Sequence, residues 1–160
     1  MEEVVQEIKD ELGFGIVPNV FATAQTPDIQ TALWKSFRHV VLRGVLPRTV
    51  KEMMGVLVSR ARGSRYAAEV HLHALIVQGT EAHLLEALQK GQVPSGLPGK
   101  VQALLTFARH AASTPNPALV EELRRAGLSE AEVQEAVAVV GLFALINTWT
   151  DLLEIPIDPL

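Results

Sequence analysis

An all-α domain is what this chain of 160 residues predicts, and three observations carry the prediction. Glycine and proline cut the sequence into pieces of helix length, apolar residues inside those pieces recur at helical spacing, and nothing between them alternates long enough to form a sheet. With 48% hydrophobic and 20% charged residues, the chain can enclose one core and is short for a second, so residues 1–160 read as a single domain.

The elements follow in order. Val4, Val5, Ile8 and Leu12 mark a first helix from Glu2 to Leu12, stopped by Gly13. Pro18 within Ile16–Phe21 starts a short second helix, because proline suits a first helical turn. A third helix starts at Pro27-Asp28 and runs to near Gly44, with Ile29, Leu33, Phe37, Val40 and Val41 as its apolar stripe. The fourth begins near Pro47 and ends before Gly63. The fifth begins at Ser64, whose hydroxyl suits an N-cap, and ends near Gly79. A surface helix from Glu81 to Lys90 leads into the Gly/Pro-rich loop Gly91 to Gly99, the segment most open to movement. Lys100 to Ala112 is helical, and Pro117 to Ala126 follows an Asn116 cap. Ser129-Glu130-Ala131-Glu132 forms a capping box that opens the last helix. From Val137 to Trp149 this helix is apolar almost all round, which predicts burial on every side, either centrally or across a subunit interface.

Bulk properties exclude several classes. A net charge of −4 and a pI near 5.7 give no basic field for nucleic acid. The first residues are acidic and amphipathic, unlike a secretory signal, so cytoplasmic residence is the expectation. The longest uninterrupted apolar run, Ala136 to Ile146, falls short of the about 18 residues that a membrane span needs. There is no cysteine, so disulfides, thiolate metal sites and thiol catalysis are excluded.

The candidate functional residues lie on the fourth and fifth helices. Val50, Met53, Met54, Leu57, Val58 and Ala61 make the fourth helix's core stripe, and Glu52 falls almost opposite its centre. That position predicts a solvated carboxylate, or one lining a cleft between subunits. On the fifth helix residues 64, 67 and 71 share a face, with Ala67 one turn from His71. Ser64 and His71 are seven residues apart, roughly 10.5 Å of helix rise, so the imidazole is badly placed to activate that hydroxyl. His71 reads either as a general acid or base or as a core histidine. Tyr66 offers a hydroxyl donor or an ordinary core ring. His71 and His73 point about 200° apart, and His39, His83 and His110 show no ligand spacing, so no metal and no other cofactor is expected. Arg60, Arg62 and Arg65 surround the helix junction. Arg65 could attract a small anion, although such arginines are usually solvated or paired.

The order Glu52, Gly63, Ser64, Ala67, His71 resembles the alkylhydroperoxidase D/carboxymuconolactone decarboxylase family. There a Glu-bearing helix is followed by Gly, by Cys-x-x-Cys opening a second helix, and by His one turn beyond. Ile16-Val17-Pro18-Asn19-Val20-Phe21, the helix at Pro27 and the segment Leu123 to Glu130 are similar to its longer, peroxidase-related branch. The resemblance implies an AhpD-like helical fold over nearly the whole chain and assembly into trimers or hexamers. It implies a proton-relay site of His71 and Glu52 with Tyr66 nearby, and it puts Ser64 and Ala67 at the redox-cysteine positions. Neither replacement can form a sulfenate or a disulfide, so a thiol peroxidase cycle is not expected. Two functions remain. One is a non-peroxidatic, oligomeric protein whose pocket binds a small molecule or is vestigial. The other is a decarboxylase- or isomerase-type enzyme using His71 and Glu52 on a small anionic substrate, as in the branch that lacks the cysteine pair.

Overall fold

The structure is a computed structural model that describes residues 1–159, so residue 160 of the expected domain lies outside it. Its helices are α1 Glu2–Leu12, α2 Asn19–Ala22, α3 Pro27–Phe37, α4 Arg48–Ala61, α5 Tyr66–Val77, α6 Ala82–Gln89, α7 Gly99–Ala111, α8 Pro117–Arg125 and α9 Glu130–Leu152. Among the described residues there is no strand. The fold is all-α, as the breaker pattern predicts.

Helix α4 is the axis of the molecule, packed against α5, α6, α7, α9 and the residues that follow α3. Every residue from Val50 to Ser59 is buried, including Lys51 and Glu52. This corrects the expectation of a solvated Glu52. An amphipathic stripe marks the core side of a helix that has one wet face, and between Val50 and Ser59 α4 has none. Close approach to α9 depends on Gly55, where a Cβ would overlap the ring of Phe143.

Two sequence-predicted caps are present, at Asn116 and Ser129, and Thr26 adds an unpredicted third. Thr26 accepts from Ile29 N at 3.4 Å, Asn116 accepts from Ala118 N at 3.0 Å, and Ser129 and Glu132 form both bonds of the capping box. Ser64 does not cap α5, which starts two residues later. Gly63, at φ 66°, ends α4 with Gly63 N to Arg60 O at 3.1 Å and Ser64 N to Ser59 O at 2.9 Å. The Ser64 hydroxyl donates instead to Asp151 Oδ1 at 2.9 Å.

Other differences are equally physical. The third helix does not run evenly to Gly44, because Arg38–Leu42 forms a π-helical segment that shifts the register of Val40 and Val41. The loop after α6 is pinned by Val93 and Leu97 against the core. At 23 residues α9 is long and apolar enough to cross a membrane, yet half of its apolar window lies inside the bundle. Nor is it buried on every side. Val137 and Leu145 remain 47% and 48% exposed.

Candidate functional site

Glu52 and His71 meet inside the fold. His71 projects from α5 towards α4, and its Nδ1 lies 3.4 Å from Glu52 Oε1. Packing fixes the imidazole, which sits edge-on to Phe143 at 5.0 Å between ring centres and tilted against Phe37 at 5.9 Å. Phe37 precedes the π-helical segment and Phe143 occupies the gap left by Gly55, so both local departures from a regular helix pair converge on His71.

The Glu52 carboxylate has further partners. Gln78, at the C-terminal end of α5, donates through Nε2 to Oε2, and Arg48, one turn before Glu52 on α4, places Nη2 3.6 Å from Oε1. The Glu52 side chain is 1% exposed, whereas that of Arg48 is 46% exposed. Burial acts most strongly on this carboxyl and pushes it up. The hydrogen bond and charge of His71, then Gln78 and Arg48, outweigh burial and hold Glu52 below the ordinary carboxylate value. An ionised Glu52 oxygen requires a donor at Nδ1, so His71 carries its proton there and leaves Nε2 as the basic nitrogen in the neutral ring.

The other sequence candidates do not join this pair. The Tyr66 hydroxyl donates to Asp158 Oδ2 and accepts from Val20 N at 3.1 Å, which ties the ring to α2 and the C-terminal tail. Burial first, then Asp158, pushes this phenol far above its ordinary value, so Tyr66 is a structural post and not an acid for His71. Ser64 is occupied with Asp151, as described. Ala67 is 1% exposed and one turn from His71, its methyl where the resemblance puts a sulfur. Arg60 pairs with Glu69 at 3.0 Å, and Arg62 Nη1 donates to Ala112 O at 3.3 Å. Arg65 borders a surface cleft with Asp151 and Glu154 that neither Glu52 nor His71 lines. Among the described residues no three His, Asp or Glu side chains gather as metal ligands.

Sequence reasoning missed Arg48, Gln78, Phe37 and Phe143. Arg48 was within reach of it, since Arg and Glu four residues apart share a helix face. The others arrive through tertiary packing and leave no local signal.

No family model and no curated protein matches the sequence. Solved structures do. An uncharacterized peroxidase-related protein from Ralstonia eutropha JMP134, described as an alkylhydroperoxidase AhpD core, aligns over 99% of this chain and 86% of its own with TM-score 0.84 and 24% identity. A similar protein from Silicibacter sp. TM1040 aligns over 98% and 84% with TM-score 0.82 and 22% identity. The debrominase Bmp8 aligns over 98% and 85% with TM-score 0.81 and 22% identity, and a variant of it has been solved in complex with 2,3,4-tribromopyrrole. The chain therefore has the AhpD-like fold. It carries that fold without cysteine.

Proposed function

We propose that this protein performs thiol-independent proton transfer on a small anionic molecule, with His71 as general acid and base and Glu52 as the group that orients it. The contact of His71 Nδ1 with Glu52 Oε1, on a carboxylate that also faces Arg48, is the observation that carries the reading. Glu52 holds the imidazole in one tautomer and stabilises the imidazolium formed when Nε2 takes a proton. A positioned base of this kind contributes about 10²- to 10⁴-fold in rate. Arg48 supplies the partly exposed positive charge that an anion would meet first. In an isomerisation the proton leaves a substrate carbon for Nε2 and returns to a neighbouring carbon. In a decarboxylation the imidazolium protonates the carbanion left after loss of carbon dioxide.

A ligand-binding protein without turnover is the second reading, favoured by the 1% exposure of Glu52 and the rings of Phe37 and Phe143 around His71. Both readings are of an oligomer, supported by exposed Val137 and Leu145 on α9. In sedimentation, a 17.4 kDa species alone at micromolar concentration would count against assembly.

The test uses β-keto carboxylates and unsaturated lactone carboxylates in D₂O, followed by proton NMR for deuterium uptake or substrate loss. Turnover by the wild type that falls about 10²-fold or more in His71→Asn supports proton transfer. Equal rates in the two proteins would overturn it, whereas binding without turnover supports the second reading. Cumene hydroperoxide with dithiothreitol should be consumed no faster than in a protein-free control.

A further inference from the structure

We propose that Gln78 is the gate of the Glu52–His71 pair, and that a small carboxylate reaches the pair by displacing its side-chain amide. The purpose of the gate rests on the proton-transfer reading above; its existence is tested without any substrate.

The Glu52 carboxylate is walled on its inner side by His71 and by the rings that hold it. Its Oε1 is shared by His71 and Arg48, and its Oε2 is taken by Gln78 Nε2. The other end of the same amide accepts from Thr49 Oγ1 at 3.0 Å. Gln78 thus spans from the first turn of α4 to the buried carboxylate, with one hydrogen bond at each end. It is itself exposed at the end of α5, next to Ile76 and Val77 at 58% and 73% exposure. The side chain that bonds Glu52 Oε2 at this exposed end of α5 is neutral and flexible.

Three features make this a movable closure. Gln78 is the C-terminal cap of α5, and its backbone N–H bonds Ala74 O at 3.0 Å, so its side chain can swing without breaking the helix end. Neither of its side-chain bonds crosses the apolar core. The swing carries no charge out of place, because Arg48 remains beside Glu52. Once released, the amide also has two N–H groups to offer an incoming carboxylate held by Arg48, so the residue that seals the empty site can help hold the occupant. Gln78 is therefore a positioning and access residue, distinct from the pair that moves the proton.

The full chain labelled with ¹⁵N-histidine provides the test, since solvent exchange of the His71 Nδ1 proton reports water reaching the pair. His71→Asn identifies its signal among the five histidines. In the wild type this proton should exchange slowly. In Gln78→Ala exchange should accelerate about tenfold or more, and in Thr49→Val, which frees the gate without removing it, by a smaller factor. Thermal melting of each variant establishes that the bundle is intact. Should Gln78→Ala fail to fold, Thr49→Val decides the matter, and unchanged exchange in that folded variant overturns the gate. Exchange in folded Gln78→Ala within about twofold of wild type would also overturn it, as would a wild-type proton exchanging as fast as that of exposed His83. Substrate turnover with unaccelerated exchange would sink the gate and leave the proton-transfer reading standing. Accelerated exchange without turnover would do the reverse.

Discussion

Lys51 and Glu52 are adjacent on α4, each 1% exposed, and they head into two different kinds of surroundings. Lys51 Nζ donates to Glu135 Oε1 at 2.6 Å and to the carbonyl of Arg43, while Glu135 accepts from Val45 N at 2.7 Å and Leu46 N at 3.1 Å. Every partner there is a fixed backbone group or the opposite charge, and together they clasp the loop before α4 to α9. Glu52 instead faces an imidazole that can gain or lose a proton, a flexible amide and a half-exposed guanidinium. Burial is the same in both places, but one set of partners can rearrange and the other cannot. The contrast sets Lys51–Glu135 apart as architecture and is the reason the proposed chemistry is assigned to Glu52–His71. Conversely, low exposure alone would have ranked the two together.

The contrast can be broken most forcefully at the clasp. Lys51→Met leaves Glu135 without its cation, and a broken buried pair costs about 3–5 kcal/mol, read as a lower urea midpoint. A loss well below about 1 kcal/mol would show that the clasp is dispensable. Gly55→Ala comes next, at about 1–3 kcal/mol, because the added methyl must move Phe143. That substitution should also shift the His71 ring signals in NMR, and unmoved signals would detach α9 packing from the site.

Acid sharpens the comparison further. Glu52 and Glu135 are both held below the ordinary value of 4.5 despite the opposing effect of burial. A depressed carboxyl contributes stability that is present above that value and lost as pH falls through its lowered folded value. Stability should therefore fall below about pH 4.5, and Glu52→Gln should flatten part of that limb. His71→Asn should remove the His71 share of Glu52's part and leave the share due to Glu135. If His71→Asn left the acid limb unchanged, the two carboxylates would not be separable in this way. The smallest effect is expected at Ser64→Ala, about 1 kcal/mol for the bond to Asp151, with the His71 signals unmoved.

What the sequence discloses follows the range of the forces involved. Asn116, Ser129 and Glu132 act within a few residues of themselves, so the caps of α8 and α9 are legible as written. His71 and Glu52 are legible as candidates through the resemblance, yet the burial of Glu52 is not, because helical periodicity sorts faces without telling how many are covered. The π-helical segment is hidden for a related reason: a run of apolar residues tolerates an inserted register shift. Gln78 is the hardest to foresee, since its partners Thr49 and Glu52 lie across a helix pair and nothing beside it in sequence marks it.

The C-terminal tail has a consequence for how the chain is made. Asp158 accepts from the backbone of Asn19, 139 residues earlier, and from the Tyr66 hydroxyl. Closing so long a loop costs about 4 kcal/mol of chain entropy. On the ribosome this latch cannot form until residue 158 has emerged, well after α4 and α5 have met. Until that moment Asn19 lacks its Asp158 partner although Phe21 can already pack on Trp34 and Phe37, so ribosome-bound chains halted before residue 158 should be cut more readily at Asn19 than within α4 and α5.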